Sequence, residues 1–270
     1  MPSKNKRQPL RYLIVHFCRL IRREDIELII LHPLSALAFF SRLRDAVAPR
    51  ESLLSYYIRA QSWQSKSNGK IYQAQMQNNK FELQGKKNYE AAIRTGRPII
   101  IAAWHLSHYN YCQLLNGFFP GMTLLTTREG APLPGGKIII DDKLSMRALM
   151  AIQSHLNSTH SPLIWAFDAI FGKRLHNAII YGSQVKLSGG FPIMVKKFNA
   201  IVLPYTNIIG ADGLPVFYCH PPLFGDNEIR DLSEQEILER TINFFSYDLI
   251  SKDPHQINYM ELFRRYLQDR

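Results

Sequence analysis

A continuous apolar run that ends at a histidine constrains the fold more than any other feature of this chain. Residues Ile99–Ala103 are all apolar, which is typical of a strand buried on both faces of a parallel sheet. Trp104 and His105 follow directly, and His108 and Asn110 come soon after. Ligands bind at the carboxyl ends of strands in open α/β sheets. The pattern therefore predicts a site around His105, although a strand-end histidine bonded only to the backbone would give the same pattern.

Other apolar runs alternate with stretches of helical periodicity from about residue 81 onward. This alternation predicts an α/β fold, a mostly parallel sheet flanked by helices. Ser233 and Glu236 have the spacing of a capping box at the start of a long helix. Strands are expected at 81–83, 99–103, 122–126, 163–167, 200–205 and 216–219. Helices are expected at 88–95, 109–117, 144–157, 190–198 and 233–251.

The first 80 residues differ in sequence pattern from the rest, and we predict a helical, membrane-associating segment over 1–80 and an α/β domain over 81–270. Residues 12–23 alternate apolar and basic side chains at helical spacing. That pattern favours either a helix lying in a membrane interface or an ordinary amphipathic helix packed on the domain. We expect no membrane-spanning helix, because no apolar run reaches the required length of about 18 residues.

Charge and cysteine usage narrow the function classes. The net charge of +11 indicates an anionic partner, such as nucleic acid, an anionic membrane or an acidic protein. We find no nucleic-acid-binding motif and expect no nucleic-acid partner. The three cysteines are scattered, which argues against a disulfide framework or a zinc site. Asp141 and Asp142 lack a third ligand at a suitable spacing, so we expect neither a metal nor a cofactor.

Four blocks of the sequence resemble the lipid A late acyltransferases of the lysophospholipid acyltransferase superfamily. Residues 82–100, ELQGKKNYEAAIRTGRPII, followed by His105, are similar to the first block. Residues 124–128, LLTTR, resemble the second, and residues 163–168, LIWAFD, resemble the third. Residues 190–204, GFPIMVKKFNAIVLP, resemble the fourth, and residues 253–259, DPHQINY, are similar to the closing segment. The likeness covers about residues 82 to 265, in the family's order.

This resemblance implies a transferase that modifies lipopolysaccharide at the cytoplasmic face of the inner membrane of a Gram-negative bacterium. His105 would take the proton from an acceptor hydroxyl of lipid A or a related phospholipid, and the hydroxyl would attack a thioester on an acyl-carrier-type protein. The implied attachment to the membrane is peripheral. A divergent branch of the superfamily moves glycine from a carrier protein onto lipid A, so the donor is either a fatty acyl or a glycyl group.

Asn110 departs from the family pattern, which has a carboxylate five residues after the histidine. An asparagine can orient the imidazole but cannot offset the charge of the imidazolium. Three interpretations stay open. Asp168 or Glu129 supplies the missing charge, the thioester is an intrinsically reactive aminoacyl one, or the chain is a catalytically inactive, lipid-binding homologue.

Several further residues are candidates for the site. By resemblance, Arg128 would grip a phosphate of the acceptor, with Glu129 as its neighbour or ion-pair partner. Lys173 and Arg174 could bind phosphate in the same way or belong to a solvated basic loop. His108 is a second candidate base, or it bonds to a backbone carbonyl.

Overall fold

The architecture was read from a computed structural model. The strands are β1 (Glu82–Gln84), β2 (Ile99–Ala103), β3 (Thr123–Thr126), β4 (Lys137–Ile139), β5 (Leu163–Ala166), β6 (Leu175–Ile180), β7 (Ser183–Ser188), β8 (Ile201–Ile209) and β9 (Pro215–Cys219). The helices are α1 (Pro33–Val47), α2 (Lys86–Arg94), α3 (Met146–Ser158), α4 (Gly190–Phe198), α5 (Glu228–Asp231), α6 (Glu234–Lys252) and α7 (Tyr259–Gln268), with a 3-10 helix at Pro254–Gln256. The structure describes residues 28–56, 58–60, 81–104, 119, 121–126, 136–139, 145–158, 161–168, 174–210, 212–225, 227–257 and 259–268.

The described strands form a central seven-stranded sheet and a separate hairpin. The sheet has the order β1-β9-β8-β2-β5-β3-β4, and β6 pairs with β7. Neighbouring strands of the sheet run parallel except for β8 and β9, which are antiparallel. Helices separate most of the parallel strands along the chain, as crossover connections require. The predicted α/β class, with a mostly parallel sheet flanked by helices and an N-terminal helical layer, is confirmed.

Strand β2 lies in the middle of the sheet and divides two apolar layers. Ile100, Ala102 and Trp104 belong to one buried cluster, whereas Ile99 and Ala103 belong to the other. All five residues of β2 are buried, because the side chains of a strand alternate between faces and both faces of this strand are covered. The carboxyl end of β2 is therefore rigidly embedded.

The described N-terminal residues pack against the far end of the chain. The ring of Phe39 on α1 lies 5.1 Å from that of Phe263 on α7, and the Tyr56 hydroxyl donates to the carbonyl of Pro254 at 3.2 Å. Both Phe39 and Tyr56 belong to the same buried cluster as the sheet. The proposed division of the chain at residue 80 stays a prediction.

Most of the predicted elements agree with the structure. Strand 99–103 and helix 190–198 have the expected bounds, and α6 begins with the expected capping box, in which the hydroxyl of Ser233 accepts from the amide of Glu236. The hairpin β6–β7 and the short strand β4 were not predicted. The predicted helix 109–117 lies outside the described residues.

Candidate active site

The carboxyl ends of β2 and β5 lie side by side, at the edge of the sheet where the parallel strands end. Ala103 pairs with Ala166 in the parallel register, and the amide of Phe167 donates to the carbonyl of Ala103 at 3.2 Å. The chain continues from these ends to His105 and to Asp168. At this edge of an open α/β sheet, side chains from neighbouring strands converge on a ligand.

Asp168 is the one predicted catalytic residue that the structure describes. Its side chain is fully buried at the end of β5, and carboxylates are rarely buried unless other groups compensate for the lost hydration. The other predicted catalytic residues, His105 and Asn110, lie outside the described residues. The same holds for His108, Arg128, Glu129 and Lys173.

Arg174, the remaining predicted residue, lies just before β6 and forms an ion pair with Glu234 at the start of α6. The two side chains are 2.6 Å apart, and 64% of the arginine side chain is exposed. An exposed pair of this kind contributes about 0–1 kcal/mol, so the guanidinium can exchange its partner at small cost. Its predicted role in phosphate binding stays a prediction.

An aromatic cluster fixes the two strand ends. The indole of Trp104 packs edge-on against the ring of Phe245 on α6 at 5.5 Å, and against the ring of Phe167 at 5.8 Å. Phe167 and Phe245 are also in contact, at 4.9 Å. All three side chains are at most 1% exposed. The residues that precede His105 and Asp168 therefore share one closely packed support.

A cluster of polar groups, which the sequence did not predict, lies on the same side of the sheet as this aromatic cluster. His220 Nε2 is 2.7 Å from the Thr206 hydroxyl and 3.6 Å from Asp248 Oδ2, and Lys252 pairs with the other oxygen of Asp248. The ammonium of Lys252 also lies 4.0 Å from the centre of the Tyr218 ring. Thr206 is two residues beyond Pro204, the register partner of Ala102, so this cluster begins beside the carboxyl end of β2.

Burial sets the protonation states in this cluster. It lowers the pKa of His220 to about 4, with a smaller contribution in the same direction from the charge of Lys252 and an opposing one from Asp248. Burial also lowers the pKa of Lys252, although Asp248 counteracts this. The imidazole of His220 is thus neutral at pH 7, and its Nε2 can either accept a hydrogen bond from the Thr206 hydroxyl or donate one to it, depending on the tautomer. The sequence signal for this cluster was the i,i+4 spacing of Asp248 and Lys252, although Lys252 lies one residue past the predicted helix 233–251.

Within the described part of the chain, no group of three or more His, Cys, Asp or Glu side chains is placed to hold a metal ion. None of the helices described is long and apolar enough to cross a membrane. Comparison of the chain with protein-family models and with curated proteins found no match.

Proposed function

We propose that this protein transfers an acyl or aminoacyl (glycyl) group from a carrier-protein thioester to a hydroxyl of lipid A, modifying the lipopolysaccharide of a Gram-negative bacterium. The observation that carries the proposal is the joined carboxyl edge of β2 and β5. The hydrogen bond from Phe167 to Ala103 brings together two strand ends. The family-like histidine, His105, lies two residues after Ala103, and the buried carboxylate of Asp168 directly follows Phe167.

The proposed reaction has four proton and bond changes. His105 accepts the proton of the lipid A hydroxyl, and the hydroxyl oxygen attacks the thioester carbonyl. The carbon–sulfur bond then breaks, and the carrier thiolate receives the proton from the imidazolium. Asp168 stabilises the imidazolium from the neighbouring strand, while Asn110 orients the ring through its side-chain carbonyl.

The charge of the chain suits both substrates. A net charge of +11 attracts an acidic acyl-carrier-type protein and the phosphates of lipid A. The exposed guanidinium of Arg174, together with Arg128 and Lys173, supplies candidate phosphate ligands. A guanidinium suits this role because it can donate two parallel hydrogen bonds to one phosphate.

We further propose that the protein attaches peripherally to the cytoplasmic face of the inner membrane. Four large apolar side chains at the start of the N-terminal helical layer are 59–81% exposed, and seven Lys and Arg residues precede them within residues 4–23. Apolar insertion combined with basic side chains is how an interfacial helix binds an anionic bilayer. The four side chains, here called the apolar face, are Ile30, Leu31, Leu34 and Leu37.

One observation favours a second candidate function. Asn110 stands where the resembled family has a carboxylate, and the analogous Asp to Asn change in the serine protease triad costs about 10⁴ in rate. A catalytically inactive, lipid-binding homologue would tolerate that replacement. It would bind anionic lipid through the apolar face without changing it.

Mass spectrometry of lipid A separates these functions. Lipid A from cells that carry the gene is compared with lipid A from deleted cells and from cells that produce His105→Ala. A gain of one glycine or one fatty acyl chain, present only with the wild-type gene, supports the transferase and identifies the donor. Identical spectra from all three strains, with wild type and His105→Ala produced at equal levels, would contradict it.

A further inference from the structure

The tip of the β6–β7 hairpin has an unusual residue in a demanding conformation. Ile180 pairs with Ser183, so Tyr181 and Gly182 form a two-residue turn, and both have positive φ, +48° and +75°. Turns of this kind favour Asn or Asp followed by Gly, because most side chains are disfavoured at positive φ. A tyrosine at the first position is therefore not explained by the turn itself.

The contacts of the tyrosine ring provide the explanation. Tyr181 is only 7% exposed, and its ring stacks on the indole of Trp104 with 6.2 Å between centres and 12° between planes. Trp104 is the last residue before His105. The hairpin tip thus reaches the carboxyl end of β2 and covers the face of the indole, while Phe167 and Phe245 contact it from other directions.

We propose that Tyr181 is a positioning residue for the general base. By stacking on Trp104 it restricts the end of β2, which is the backbone that leads directly into His105. This inference rests on the proposed function for its effect on turnover. A displacement of about 1 Å in a catalytic group can lower the rate about 100-fold, so a constraint at this point affects catalysis without any contact with substrate.

Three variants test the role of the ring. Tyr181→Phe keeps the ring and removes the hydroxyl, whereas Tyr181→Leu removes the ring. Tyr266→Leu is the matched control, since Tyr266 is also buried and stacks at 6.4 Å, but on Phe263 in the α1–α7 contact. If Tyr181→Leu does not fold, Tyr181→Asn replaces it, because asparagine suits the positive φ of the turn.

The kinetic outcome distinguishes positioning from stability. We expect Tyr181→Leu to lower kcat at least 10-fold with KM within twofold of wild type, and Tyr181→Phe to remain within twofold in both. Tyr266→Leu should keep wild-type kcat once it is compared at a temperature where it is folded. Wild-type kcat in folded Tyr181→Leu, or an equal loss in Tyr181→Phe, would overturn the role of the ring.

A spectroscopic measurement tests the inference without any turnover. In protein labelled with isotopic histidine, the ring signals that vanish in His105→Ala are those of His105. We expect these signals to broaden or split in Tyr181→Leu and to be unchanged in Tyr266→Leu. If wild type transfers nothing but the signals respond as expected, the proposed function fails and the positioning stands. Unperturbed His105 signals in folded Tyr181→Leu would overturn the positioning itself.

Discussion

The amide of Phe167 donates a hydrogen bond to the carbonyl of Ala103 at 3.2 Å. This bond extends the parallel pairing of β2 and β5 one residue past the end of β5. The chain continues from these two strand ends to His105, the proposed base, and to the buried carboxylate of Asp168.

The first prediction concerns Asp168. Removing its charge leaves the imidazolium of His105 without its proposed stabilising carboxylate. With a fatty acyl donor, Asp168→Asn should lower kcat by about 10²-fold or more with little change in KM, and with a glycyl donor the loss should be smaller. Asp253→Asn is the control, because Asp253 is a partly buried carboxylate that pairs with His255. Steady-state transfer assays of both variants decide the point. Equal kcat in wild type and Asp168→Asn would show that Asp168 is not involved.

A second prediction uses Asn110 to identify the donor. The α-ammonium of a glycyl thioester activates the carbonyl, so we expect this donor to need less help from a carboxylate. Asn110→Asp should then slow glycyl transfer, because a new anion holds the ammonium too tightly in the ground state. With a fatty acyl donor the same change should be neutral or beneficial. Turnover on glycyl-loaded and fatty-acyl-loaded carriers measures this. We expect the wild type to use the glycyl carrier, and a wild type that is inert with that carrier would refute this expectation.

The third prediction concerns membrane attachment by the apolar face. The double variant Leu34→Ser/Leu37→Ser should sediment with anionic liposomes several-fold less than wild type. Binding of wild type should weaken with salt, because headgroup attraction is screened beyond about 8 Å at physiological ionic strength. Ile179→Ser removes a similarly exposed side chain, 72% accessible, from the β6–β7 hairpin, and should bind as wild type does. An equal loss of liposome binding in both variants would mean that the apolar face is not the specific site of membrane attachment.

The fourth prediction is a pH dependence that originates at His220. Its pKa is about 4 in the folded protein and ordinarily near 6.5, so between these values the unfolded chain binds more protons. The contribution to stability is present above about pH 6.5 and is lost as the pH falls toward 4. At about 1.4 kcal/mol for each pH unit between the two pKa values, it amounts to about 3 kcal/mol.

Urea denaturation at several pH values measures this effect. His220→Gln should flatten the decline between pH 6.5 and 4, since glutamine can still bond to Thr206 but does not titrate. His32→Gln, at an exposed position, should leave the wild-type slope. A slope in His220→Gln as steep as that of wild type would assign the acid sensitivity to other groups.

Local sequence patterns predicted the elements whose causes are local. The run Ile99–Ala103 predicted a strand buried on both faces, and the capping box of Ser233 and Glu236 defined the start of α6. The prediction ended β8 near Tyr205, whereas the strand extends to Ile209. Its second half contains polar residues and pairs with β9 in the antiparallel register. The side chain of Gln256 bonds to both the amide and the carbonyl of Ile209, which holds the end of the strand.

Features that depend on distant partners could not be predicted. The hairpin β6–β7 has a Tyr-Gly turn in place of the usual Asn-Gly, and the reason is the contact with Trp104, more than 70 residues earlier in the chain. The contact of His220 with Thr206 and Asp248 needs the antiparallel register of β8 and β9 and the packing of α6. Neither arrangement leaves a periodic pattern in the sequence.

Turnover of His105→Ala tests the central claim most directly. Purified wild type and variant are incubated with lipid A and with carrier protein loaded with either glycine or a fatty acid. The lipid products are then identified and quantified by mass spectrometry. We predict that wild type transfers one of the two groups and that the variant, folded to the same degree and equally bound to liposomes, loses at least 10²-fold in rate. Transfer by His105→Ala at the wild-type rate would contradict the assignment of His105 as the general base.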